Sequence, residues 1–246
     1  MLLSVQNVRK HFNGAQALAG VFLSLRAGER LGVVGPNGSG KSTLEGCIGG
    51  SIYPDEGHIE FLGRDVTKMP PEERSKLGVA RVFQLPQFLP REPVALNVWM
   101  GLYRTTPWPR RFANKDISQL APVREILEFV GLIDDADRPA NKLSYFALRK
   151  MEVARALVSG PRLLLLDELT SGLNSGQRAE FESLLVQLRD VAVVLVEHEW
   201  EVIRGLCERV LIMEAGSVVA DRPATTLNYD DELREIFGRS AHAARR

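Results

Sequence analysis

Short apolar runs alternate along this chain with stretches in which apolar residues recur every three or four positions. Ser4–Arg9 and Ala17–Arg26 alternate loosely and predict two strands meeting at Asn13-Gly14. Arg30–Val34 predicts a short apolar strand running into a glycine-rich turn, and helical character begins at Lys41, weakened by Gly46, Gly49 and Gly50. His58–Leu62 predicts another strand. The pair Pro70-Pro71, followed by Glu72 and Glu73, predicts a helix start, because proline and acids favour a first turn. From Ser144 a helix is predicted to about Ser159, with Leu148, Met151, Ala154, Leu157 and Val158 on one face. Strand Arg162–Leu166, helix Ser175–Arg189, strand Val191–Val196 and helix Glu199–Cys207 follow. Strands Val210–Glu214 and Val218–Ala220 and a terminal helix near Asp231–Phe237 complete the pattern. Apolar strands alternating with helices predict an α/β fold, its sheet mainly parallel and covered on both faces.

Residues 85–142 have a different texture. Seven prolines fall between Leu85 and Pro139, along with Trp99 and Trp108, and two helical patches stand out at Ala95–Tyr103 and Val123–Val130. This predicts an α-helical subdomain over residues 85–159, inserted between 1–84 and 160–246 of a single domain, with a loop at Thr105–Asn114. A chain of 246 residues, 45% hydrophobic, has room for such a core with an insert. Lysine plus arginine equal aspartate plus glutamate at 31 each, which gives no reason to expect a nucleic-acid groove. Cys47 and Cys207 form no Cys-x-x-Cys pair, so a reducing cytosol is expected. The longest apolar runs, Leu163–Leu166 and Val191–Val196, fall far short of the ~20 residues that cross a bilayer. The N-terminus turns polar too early for a secretory signal, so a role at a membrane would need another chain to do the spanning.

The candidate chemistry begins at Gly35-Pro36-Asn37-Gly38-Ser39-Gly40-Lys41-Ser42-Thr43, which fits G-x-x-x-x-G-K-[ST] with a strand before it and a helix after. Glycines let backbone N–H groups curl around phosphates, and the positive end of the following helix adds attraction. Lys41 is placed to reach the β- and γ-phosphates, and the Ser42 hydroxyl to ligand Mg²⁺. Further on, the apolar strand Leu163–Leu166 ends in Asp167-Glu168. Asp167 is expected to hold Mg²⁺ through water and Glu168 to polarise the attacking water.

With these motifs in order, the sequence resembles the ATP-binding cassette (ABC) family over nearly its full length. GPNGSGKST looks like Walker A and LLLLDE (Leu163–Glu168) like Walker B; Gln84 in RVFQ matches the Q-loop and Ser171–Asn174 the D-loop. His198 in VEHEW matches the switch histidine, and Phe12 the aromatic position that stacks on adenine. The LSY start of LSYFALRK, the GLN of the D-loop and VEH resemble the importer ATPases for branched-chain amino acids. The resemblance implies a P-loop NTPase core with an antiparallel β subdomain near the N-terminus and the helical insert. It implies ATP with Mg²⁺, the ion held by Ser42, Gln84 and Asp167, and catalysis by Lys41, Glu168 and His198. It also implies transmembrane permease subunits as partners, a solute-binding protein engaged indirectly, and a peripheral place on the cytoplasmic face of the inner membrane.

Two departures from the family pattern stand out. Members work as face-to-face dimers in which each ATP lies between one chain's Walker A and the other's LSGGQ signature. Here Leu143 and Ser144 match, but Phe146 replaces the second glycine and Ala147 the glutamine. Bulk at a close phosphate contact predicts a damaged signature, and hence an asymmetric heterodimer with a different ATPase chain, in which Ser144 still contributes to the partner's nucleotide; the alternative is that the Phe146 ring turns aside and both sites work. Leu169 replaces the proline usual after the catalytic glutamate, which predicts a looser placement of Glu168. These same departures support an alternative, an ATP-binding regulatory module with little hydrolysis. A third reading, a DNA-repair or translation member, calls for two cassettes or a long coiled-coil insert, and the sequence shows neither.

Overall fold

A computed structural model of the chain describes residues 1–102, 117–197 and 199–226. The expected loop Thr105–Asn114 with Trp108, the switch candidate His198 and the terminal helix Asp231–Phe237 lie outside the described residues.

Strands β1 (Leu3–Phe12) and β2 (Ala15–Leu25) form a hairpin turned at Asn13 and Gly14, with φ of 49° and 85°. That is the left-handed pair an Asn-Gly turn provides. Strand β3 (Arg30–Val34) leads through the glycine-rich loop into α1 (Lys41–Gly49). Strands β4 (Glu56–Phe61) and β5 (Arg64–Asp65) then complete an antiparallel sheet ordered β2-β1-β4-β5. Helix α2 (Pro71–Leu77) starts at the predicted proline and acids. Its Arg74 is buried and donates Nη1 to the carbonyls of Cys47 and Ile48, at 2.5 and 2.7 Å, which closes the C-terminal end of α1 with a cation.

The second sheet carries the site. Strands β6 (Val79–Val82), β7 (Leu163–Asp167), β8 (Ala192–Val196), β9 (Arg209–Glu214) and β10 (Ser217–Pro223) join β3 in the order β10-β9-β3-β8-β7-β6. All pairs are parallel except β10 with β9. Every residue of β7 and β8 is buried, which is why both read as unbroken apolar runs instead of alternating. One face of the sheet, through Leu31, Val33, Leu163 and Leu165, packs with Leu44 and Ile48 of α1 and with the antiparallel sheet. The other face, through Leu164, Leu166, Val193 and Leu195, packs on α6 (Ser175–Gln187) and α7 (Trp200–Leu206). A separate apolar cluster joins α3 (Val94–Trp99), α4 (Ala121–Phe129) and α5 (Tyr145–Leu157).

Two local features differ from the sequence reading. Val79–Val82 is a strand that no alternation announces, because only Val79 and Val82 are buried while Ala80 and Arg81 are half-buried. Parallel pairing with β7, residue for residue from Val79–Leu163 to Val82–Leu166, makes it a strand. The helix predicted from Ala95 to Tyr103 is α-helical only to Trp99 and tightens to 3₁₀ over Met100–Leu102. Gly101 marks a close approach there: a Cβ would stand 2.0 Å from the Arg155 carbonyl oxygen.

Candidate functional site

The loop after β3 owes its path to glycine. A Cβ on Gly35 would stand 2.2 Å from the Met213 carbonyl oxygen, and one on Gly40 would stand 2.5 Å from that of Ala17. Gly38 and Gly40 adopt φ of 79° and 101°, states that side-chain-bearing residues rarely take. The Ser39 N–H donates to the Pro36 carbonyl at 3.1 Å, and the Gly216 N–H to the Ser39 carbonyl at 3.0 Å, so the loop is pinned to the β9–β10 turn. Residues 37–43, with Ala17 and Glu168, line a cavity of about 290 Å³. Helix α1 begins at this cavity and has no acid in its first turn, so nothing of its own neutralises its positive end. The Lys41 ammonium donates to the carbonyls of Gly35 and Pro36 at 2.8 and 3.0 Å. Burial lowers its pKa, and the charges of Glu168 and Asp167 oppose that shift. A cavity at the start of a helix, with a lysine in its wall, fits a chain of phosphates.

The acidic side comes from β7. Asp167 is buried, with its Oδ2 3.5 Å from the Arg81 guanidinium. Arg81 also lies 3.1 Å from Glu45 of α1, whose carboxyl is pushed up to about 8, chiefly by burial. Ser42 and Asp167 are hard oxygen donors. Among the described residues no three His, Cys, Asp or Glu side chains gather as a metal cage. That donor set suits an ion sharing its coordination with phosphate and water, as Mg²⁺ does. Glu168 leaves the strand at φ 46°, with its N–H donating to the Val196 carbonyl at 2.9 Å, and it reaches the cavity wall.

Strand register explains Gln84. Val82 of β6 lies opposite Leu166 of β7, so two residues on, Gln84 is level with Glu168. Its amide Nε2 donates to Glu168 Oε2 at 2.5 Å. The sequence reading missed the residue that ties these pieces together. Arg149 of α5 is fully buried and pairs with Glu152 at 2.8 Å. Its guanidinium donates to the carbonyls of Phe83 at 2.7 Å, Gln84 at 3.3 Å and Glu168 at 3.4 Å. The only signal in the sequence is an arginine after the LSY start, and a lone arginine on a helix reads as solvated.

Phe12 and Ser144 lie apart from the cavity wall. Phe12 ends β1, 44% exposed, with the Lys10 ammonium 5.4 Å from its ring centroid; the same hairpin supplies Ala17 to the wall. Ser144 caps α5 and accepts from the Ala147 N–H at 3.2 Å. His198 lies outside the described residues.

The model of the ABC transporter domain matches residues 18–171, more than half of the chain. The chain belongs to the ABC transporter family. It is 30% identical to the high-affinity branched-chain amino acid transport ATP-binding protein LivG of Salmonella typhimurium, over 96% of this chain and 98% of that one. It is 32% identical to the methionine import ATP-binding protein MetN of Clostridium acetobutylicum, over 97% of this chain and 75% of that one. Among solved structures, the ADP conformation of an ATP-binding cassette of an ABC transporter superposes with a TM-score of 0.83 at 29% identity, covering 96% of this chain and 98% of that one. The chain is thus an ATPase cassette: it binds and hydrolyses ATP, and such cassettes pair with one another and work with permease subunits. No described helix is long and apolar enough to cross a membrane.

The ABC signature segment corrects one expectation. Phe146 does not project from the N-terminal face of α5. Its ring packs edge-on against Phe181 of α6, with centroids 5.3 Å apart at 89°, and the Lys150 ammonium lies 5.3 Å from its centroid. A phenyl ring gains by leaving water, and a helix offers it the neighbouring helix as cover. The residue left exposed beside Ser144 is Tyr145, whose ring lies against Gly172 of the D-loop. The predicted obstruction by Phe146 therefore loses its steric basis.

Proposed function

We propose that this cassette energises import of branched-chain amino acids or a related small polar solute, with MgATP held by Gly35–Thr43 and water activated by Glu168. One observation carries the site assignment: Glu168, gripped by Gln84, shares a cavity wall with Lys41, Ser42 and Thr43. Ser42 and Asp167 would hold Mg²⁺, with Gln84 beside them; the ion would neutralise phosphate charge when bound. Lys41 balances the charge on the transferred phosphoryl group, and Glu168 orients and polarises the attacking water. His198 would contact the γ-phosphate, Phe12 would stack on adenine, and Ser144 would face the partner's nucleotide. The importer assignment rests on likeness to a branched-chain amino acid protein. Likeness to a methionine importer keeps the solute class at small amino acids.

Residues 85–159 would act as the moving helical subdomain. A cavity of about 260 Å³, lined by Arg81, Phe83, Met100, Gly101 and Arg155, opens where it meets the core and would pass its motion to a permease at the cytoplasmic face of the membrane. The test of the cradle is Lys41→Ala. Losing a charge-assisted contact is expected to weaken MgATP binding by about 10–100-fold in calorimetry. Unchanged heat of binding would refute the assignment.

The asymmetric heterodimer, with a different ATPase chain supplying an intact signature, rests on Ala147, which offers no side-chain amide. In that arrangement the chain purified alone turns over ATP more slowly per site than when paired with the other chain. Equal turnover per site in the two preparations would refute it.

A further inference from the structure

The segment from Glu168 to Asn174 has no regular structure, yet an acid from the β8–α7 connection holds it at Thr170 and an arginine of α6 holds it at Leu173. Glu197, only 3% exposed, accepts at one oxygen both the Thr170 N–H at 2.9 Å and the Thr170 hydroxyl at 3.0 Å. Thr170 itself is 1% exposed, and Leu169 between it and Glu168 is wholly buried in the core under α6. At the far end, Arg178 of α6 donates Nε to the Leu173 carbonyl at 3.0 Å and pairs with Glu199. Inside the segment, the Leu173 N–H donates to the Thr170 carbonyl at 3.1 Å.

Glu197 continues the wholly apolar strand Ala192–Val196, and an apolar residue there would cost nothing in desolvation. Burial raises its pKa, the two Thr170 bonds act against that, and Glu168 and Glu199 add to the rise. A buried acid held in place by one residue two positions beyond Glu168 is a restraint on Glu168. The restraint sits where it is needed, because Glu168 takes a left-handed φ of 46° that a non-glycine residue holds only when its surroundings enforce it.

We propose that Glu197 is a positioning residue: by fixing Thr170 it holds Glu168 in the conformation that faces the phosphate cavity. This rests on the proposed role of Glu168 in activating water. The test uses the transporter assembled with its permease and partner subunits, with kcat and the affinity for MgATP measured separately. Glu197→Leu removes the acceptor and is expected to lower kcat by about 10²-fold, the scale of a misplaced reacting group, with affinity within about twofold. Thr170→Val keeps the shape and the N–H but loses the hydroxyl; it should lower kcat by roughly 3–10-fold. Glu197→Gln keeps a carbonyl oxygen able to accept both bonds and should stay within about threefold of the parent.

The proposal is overturned if Thr170→Val keeps the parent kcat, if Glu197→Gln falls as far as Glu197→Leu, or if affinity drops in step with kcat. Should Glu197→Leu fail to fold, Thr170→Val and Glu197→Gln decide. Glu168→Gln measured alongside separates the two ideas. Full turnover in that variant removes the role given to Glu168. Lost turnover there, with a parental Thr170→Val, removes only the role given to Glu197.

Discussion

Replacing Glu168 by glutamine is expected to cut ATP turnover in the assembled transporter by about 10²–10⁴-fold, the range for removing a general base, while leaving MgATP binding near its parent value. The proposed phosphate cradle is made of the backbone at 37–40 and of Lys41, whose ammonium is held by backbone carbonyls and not by the Glu168 carboxylate. The carboxylate instead stands at the cavity wall with Gln84 donating to it, so a neutral amide there would remove the group proposed to accept a proton from water. Glutamine keeps the size of the side chain, and the Glu168 N–H bond to Val196 involves only backbone, so the turn survives the change. A steady-state ATPase assay paired with calorimetry checks both halves. Parental turnover would favour the regulatory-module reading, in which the chain holds ATP as a switch and Glu168 has no chemistry to perform.

The second large effect is on stability. Arg149→Met is expected to destabilise the fold by about 3 kcal/mol, the lower end for breaking a buried ion pair. Glu152 would remain buried with its charge, relieved only by the Gln87 N–H at 2.9 Å and by Arg155 at 3.5 Å. The carbonyls of Phe83, Gln84 and Glu168 would lose a charged donor at the same time. For a chain of this size the shift in Tm is roughly 6–12 °C. Arg149→Lys should recover only part of this, because an ammonium cannot present the guanidinium fork to several acceptors. Thermal unfolding of Arg149→Met, Arg149→Lys and the double variant Arg149→Met/Glu152→Met is the measurement. An apolar pair that restores most of the loss would show that the cost lies in the stranded Glu152 charge. A Tm shift under about 2 °C for Arg149→Met would show that the buried network carries no such weight.

Both predictions depend on residues that differ in how visible they were. Glu168 was legible because it follows a strand buried on both faces, and such strands read as unbroken apolar runs whatever surrounds them. Gly35–Thr43 was legible for a similar reason: the loop must curl tightly between a strand and a helix, and only glycine meets that demand. The Asn13-Gly14 turn, the proline start of α2 and the cap at Ser144 are likewise local events, settled by a few neighbouring residues.

What only the tertiary structure decided are the relations between segments far apart in the chain. Strand β6 exists because β7, more than eighty residues later, offers it a parallel edge, and that register alone sets Gln84 beside Glu168. Arg149 and Glu197 are polar residues in apolar surroundings, and their partners at 83–84, 168 and 170 come together only after folding. The direction of Phe146 was set by Phe181 on another helix, not by its place in a motif. The sequence by itself determined the turns, the buried strands and the phosphate loop, since periodicity and backbone freedom act over a few residues. Packing determined the rest, because a side chain's direction and a buried charge's partner are minima of the whole assembly.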